Sequence, residues 1–166
     1  MEKRTQYVLS LEGLADAVLI EAARTALTLV ASEMASAETD IPWGERGGWP
    51  ADVVEAAQRL SDRFGQGRDD TNVQTGVRAA TDSQVREDFI TFAPHAYDAT
   101  FWREDYATVA SLSDAGTSFV IWLTEQQRAN LTEVVHAERV ISMRDWRLAH
   151  SSRWWTGLFR LSSAKR

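Results

Sequence analysis

Apolar and polar residues follow two different rhythms along this chain, and the rhythm changes near its middle. Between Leu11 and Ala37, Leu14, Val18, Ala22, Ala26 and Leu29 recur every three or four positions, with Glu21, Arg24 and Thr28 on the opposite side. That period predicts a long core helix, with Ser10 placed to cap its start and alanines that admit a close neighbour. Ahead of it, "TQYVLSL" alternates as a short strand would. The stretch "TDIPWGERGGWP", rich in Gly and Pro and bracketed by Trp43 and Trp49, reads as a loop. Pro50 then suits a first helical turn, and "ADVVEAAQRLSDRF" forms a second helix that Gly65 stops. "GQGRDDTN" is a further loop, and the sparse apolar spacing of Val73, Val77, Ala80 and Val85 predicts one or two weak helices.

The second rhythm begins at "DFITFAPH", which looks extended. "ATVASLS" and "TSFVIWL", joined by "DAG", predict a β-hairpin, with Gly116 supplying the left-handed position of the turn. Phe119, Ile121 and Leu123 lie on one face of its second strand and Val120 and Trp122 on the other, so the hairpin is expected to be covered on both sides. Thr124 and Gln127 then form a capping box that starts a third strong helix through Leu131, Val134, Val135, Ile141 and Leu148. On that helix Glu138 and Asp145 fall inside the apolar face and are expected at a wet rim. The order predicts a mainly α-helical α+β fold, with three main helices and a small antiparallel β-hairpin or meander near residues 88–123.

Composition narrows the functional classes. A chain of 166 residues, 44% hydrophobic and 25% charged, builds one folded domain over residues 1–166. With no cysteine, disulfides, thiolate metal sites and Cys nucleophiles are excluded. The N-terminal stretch lacks the apolar core of a signal peptide and no run of apolar residues is long enough to span a membrane, so a cytoplasmic location is expected. Charge is unevenly spread. Residues 1–135 hold 11 basic and 22 acidic side chains, a net of −11, whereas residues 136–166 hold 7 basic and 2 acidic, a net of +5.

Enzymatic signals are sparse. "GERGGW" and "GQGRDD" lack the strand before them and the Lys-Ser/Thr after them that a phosphate-cradling loop requires. Asp69 and Asp70 have no further oxygen ligands at metal-binding spacing, and Glu133 with His136 makes a single E-x-x-H where a di-iron site needs two, so neither a metal nor a cofactor is expected. His95 and His136 remain as possible general bases, which makes a small enzyme with a site near one of them the third functional reading.

The basic Trp-rich segment 144–166 carries more information. From Val140 onward Val140, Ile141, Met143, Leu148, Trp154, Trp155, Leu158, Phe159 and Leu161 share one arc of a helical wheel, with Arg153 and Arg160 opposite. Arg144 and Arg147 intrude on that arc, unlike a membrane-surface helix. The expectation is a tail that closes the core and leaves an interfacial edge. Trp146, Arg147, Arg153, Trp154, Trp155 and Arg160 are its partner-binding residues, Trp and Arg being the commonest interface anchors. The leading functional reading is therefore a non-catalytic binding protein: an accessory subunit, inhibitor or immunity-type partner of another protein. Binding of nucleic acid through the same segment is the alternative, and homo-oligomerisation is left open.

Overall fold

A computed structural model of the chain describes residues 3–66, 71–114 and 117–150. Its centre is an antiparallel sheet of eight strands: β1 (Thr5–Ser10), β2 (Ser36–Ile41), β3 (Val73–Gln74), β4 (Arg78–Ala79), β5 (Asp98–Trp102), β6 (Thr108–Ser113), β7 (Ser118–Leu123) and β8 (Val140–Ser142). In space they run β3-β2-β5-β6-β7-β1-β8, with β4 following β3 along the same edge of β2. Strand alternation sets what the sheet buries. One face aligns Leu9 with Phe119, Tyr7 with Ile121, Ala110 with Ile121, Leu112 with Phe119, Phe101 with Ala110 and Ala37 with Phe101. All of these residues belong to one hydrophobic cluster.

Helices cover that face. α1 (Asp16–Val30) lies over β7, α3 (Ser83–Phe92) packs on β2, α4 (Glu125–Thr132) meets both α1 and β7, and α2 (Ala51–Phe64) rests on α3. Phe89, Phe92, Phe101 and Phe119 are fully buried between the layers, each worth about 1.5–3 kcal/mol of burial. α2 and α3 are also tied by Arg59, whose guanidinium reaches the buried Asp88 carboxylate at 2.8–3.1 Å. The pairings make β1 and β2 parallel although three strands lie between them, so α1 crosses the sheet to join them. Gly13, at φ +76°, turns the chain from β1 toward that crossing.

The expected fold, mainly helical with three helices and a small hairpin, is overturned by this eight-stranded sheet. The long first helix is instead a helix of 15 residues followed by β2. "SAETDI" extends because Ala37, Thr39 and Ile41 point into the core while Ser36 and Glu38 point out, and β5 pairs with it from Ser36 to Thr39. The buried face of α1 is rotated from the expected one: it keeps Ala22 and Ala26, adds Leu19, Ala23, Leu27 and Val30, and leaves Val18 47% exposed. The apolar arc of this helix is wide, so periodicity alone does not fix which of its residues lie at the centre. "DFITF" is not extended: Asp82 accepts the Gln84 and Val85 N–H groups and starts α3, which buries Val85, Phe89 and Phe92.

The capping box at Thr124 and Gln127 is present, but the third helix ends at Thr132, and Val140–Ser142 pairs with β1 as a strand. A second helix occupies residues 143–150. Glu138 and Asp145 therefore belong to different elements and share no stripe, and both are exposed. The β6–β7 hairpin is real, while Gly116 lies outside the described residues. On its second face Val120 and Trp122 are half-buried, and Val8, which pairs with Val120, is buried. No helix among the described residues is long and apolar enough to cross a membrane.

Candidate functional site

Two regions hold the residues that the sequence singles out. The first is the end of the sheet where β2 finishes and β5 begins. Ile41 and Pro42 lead into a 3-10 segment, Trp43–Gly48, and the chain returns through Trp49. The two indoles meet at 5.9 Å, and Trp49 makes edge-type contacts with Phe92 at 5.2 Å and with His95 at 6.3 Å. His95 closes the 3-10 turn Ala93–His95 after α3, with Pro94 buried beneath it. Its Nε2 is shielded from solvent and meets no hydrogen-bond partner among the described residues. Burial holds its pKa below the ordinary value, the Arg24 charge adds to that effect, and Asp52 opposes it.

Two carboxylates are engaged at the same end of the sheet. Asp40, nearly buried, accepts the Asp98 N–H at 2.9 Å, and burial pushes its pKa up against that hydrogen bond. The Tyr97 phenol donates to Glu45, which raises the tyrosine pKa. The arrangement offers a shielded imidazole and a shielded carboxyl, and among the described residues no group hydrogen-bonds the His95 ring at Nε2. His136 is elsewhere: it is exposed and precedes the 3-10 turn beside β1 and β8, three strands across the sheet from β5. The fold thus separates the two histidines. Among the described residues no group of three or more His, Asp or Glu side chains is placed to hold a metal ion, and Asp69 and Asp70 lie outside them.

The second region follows β8. The Ser142 hydroxyl donates to Asp145 at 2.7 Å and accepts the Asp145 N–H at 3.1 Å, a side-chain cap that starts the helix at 143–150. Trp146 stacks on His150 at 4.2 Å, one helical turn away. It is half-buried, whereas Arg144, Asp145 and residues 147–150 are exposed, Leu148 to 61%. Of the expected partner-binding residues, the structure places Trp146 and Arg147 on this helix; Arg153, Trp154, Trp155 and Arg160 lie outside the described residues. Because Val140–Ser142 is a strand, the helical wheel drawn from Val140 does not apply.

Sequence reasoning missed Asp40, Tyr97 and Asp98, which carry no motif and meet only because β2 and β5 pair. The flanking Trp43 and Trp49 were the one legible signal of an aromatic cluster at this end. No family model, no curated protein and no solved structure matches this chain.

Proposed function

We propose that this chain is a non-catalytic, cytoplasmic binding protein, an accessory subunit, inhibitor or immunity-type factor, that engages a protein partner through the helix at 143–150. One observation carries the reading: Trp146, Arg147 and Leu148 stand on a helix whose side chains are exposed at every position except Met143 and Trp146. Large apolar side chains on such a helix match the anchors of helix-in-groove recognition. Arg144 and Arg147 are its exposed cations, while Asp145 is engaged by Ser142. The complementary partner has an apolar groove rimmed by carboxylates. The net −11 of residues 1–135 disfavours such a surface over most of the rest of the chain, which favours docking at this end.

The test is site-specific photocrosslinking of the full chain in its native host, with a photoreactive residue at Leu148 and, as control, at Gln126 on the exposed side of α4. The expected result is one protein captured from position 148 and absent from 126. That capture should be lost in a folded Trp146→Ala, Arg147→Glu variant and reproduced as saturable binding with purified components. Nuclease-sensitive adducts from position 148 would replace this reading with nucleic-acid binding, and equal capture from both positions would overturn it.

A further inference from the structure

The antiparallel order gathers a second set of side chains at the opposite end of the sheet from His95. There β1 begins, β7 ends, β6 begins, β5 ends and β2 begins. Lys3, Arg4, Glu33, Arg103, Thr108 and Trp122 meet at this end and line a cleft of about 370 Å³, within the size range of small-molecule sites.

The lining is basic in a chain that is not. Three cations face one carboxylate here, although the whole chain carries a net charge of −6. Arg4 is held on both terminal nitrogens: it pairs with Glu33 at 2.6 Å and donates to the Trp122 carbonyl at 3.2 Å and to Gln127 Oε1 at 2.9 Å. That neutralises Glu33 and fixes one wall. Arg103 is less well served. Its closest anionic contacts are the Asp105 oxygens at 3.4 Å, longer than charge-assisted hydrogen bonds normally are. Its Nε, shielded from solvent, lies 3.4 Å from Asp105 Oδ1 but outside hydrogen-bond geometry. At those lengths Asp105 satisfies the guanidinium poorly, and an incoming anionic oxygen offers its N–H groups a better acceptor. Trp122, half-buried, with Ala107 and Val109, supplies an apolar wall beside that donor.

We propose that this cleft binds a small organic oxyanion, a carboxylate or phosphate monoester carried on a flat apolar group, with Arg103 and Lys3 on the oxyanion and Trp122 against the ring. Binding is independent of the 143–150 helix and does not rest on the partner reading.

The test titrates the full chain with phenyl phosphate, benzoate, inorganic phosphate and benzylamine, read by calorimetry and by backbone and indole NMR shifts. Saturable binding of phenyl phosphate or benzoate is expected, with shifts centred on Arg103, Thr108 and the Trp122 indole. Whichever of the two binds tighter identifies the oxyanion. Inorganic phosphate should bind at least about tenfold more weakly, and Arg103→Gln should weaken the aromatic anion by about tenfold, the effect of losing one charge-assisted hydrogen bond. Lys3→Gln, at an exposed position, provides a second variant if Arg103→Gln does not fold. Equal binding of benzylamine, shifts centred elsewhere, unchanged affinity in the variants, or no saturation by roughly 10 mM anion would overturn the proposal.

Discussion

The Thr75 hydroxyl stands in for a missing strand partner of Thr39. It accepts the Thr39 N–H at 3.0 Å and lies 3.1 Å from the Thr39 carbonyl, and the Thr75 N–H donates to that same carbonyl at 3.0 Å. β3 pairs with β2 at Asp40 and Ile41, and β4 pairs with it at Ser36 and Ala37, so this side chain bridges the interruption between them. Gly76, at φ +61°, lets the chain turn there. Thr75 is fully buried, and Thr75→Val, equal in shape, strands the Thr39 N–H. The expected cost is about 1–3 kcal/mol, with Thr75→Ser retaining most of the stability. Chemical denaturation of the three proteins checks it.

Gln127 does more than complete a cap. Its Oε1 accepts from the Thr124 N–H at 2.9 Å and from Arg4 at 2.9 Å, and its Nε2 donates to the Leu29 carbonyl at 2.8 Å. Thr124→Ala should cost about 1 kcal/mol, an ordinary cap loss. Gln127→Ala should cost more, about 1–3 kcal/mol, because it also releases Arg4 and the end of α1. Equal losses in urea melts would show that the contacts to Arg4 and Leu29 contribute nothing.

Protonation of His95 sets a pH dependence whose sign follows from burial. Its folded pKa lies below the ordinary value, so the unfolded chain binds the proton first. The stability associated with it is complete above about pH 6.5 and is lost as pH falls below that value. Asp40 acts oppositely: its raised pKa gives stability that is present at low pH and lost as pH rises through the folded value. Comparing wild type with His95→Gln isolates the histidine. Wild type should lose stability relative to the variant between pH 7 and pH 5. A constant difference across that range would mean that the folded imidazole takes up its proton as readily as the unfolded one.

Tyr106 holds a left-handed backbone at φ +62° in the β5–β6 turn while 81% exposed. A bulky residue there is strained by about 1 kcal/mol, and asparagine tolerates the conformation far better. Tyr106→Asn should raise the thermal midpoint by a few degrees. A lower midpoint would show that the ring contributes more than the strain costs.

Elements whose signals are local were legible in the sequence. α2 runs between Pro50 and Gly65 as read, the capping box sits at Thr124 and Gln127, and the β6–β7 pairing follows its alternation. The sheet was not legible, because its pairings are remote. Ala37 opposite Phe101 and Leu9 opposite Val140 join segments whose own sequences are short, polar or ambiguous. β2 extends only because β5 receives it, and "DFITF" turns helical because Asp82 caps a run that buries Val85, Phe89 and Phe92. His95 stood out as a rare residue type, but its shielded Nε2 and its aromatic neighbours are products of the tertiary fold. Lys3, Arg4, Glu33, Arg103 and Trp122 give no local hint of a shared cleft.

The lengths of the outer strands bear on how this molecule behaves in a crowd of its own copies. β3 and β4 have two residues each and β8 has three, whereas the strands between them have five or six. An open sheet edge recruits other chains in proportion to the run of unpaired N–H and C=O groups it offers. Here both rims are stubs among the described residues, so strand-by-strand polymerisation finds little purchase. A variant that lengthened β8 into an alternating apolar strand would turn a quiet margin into a template for fibres.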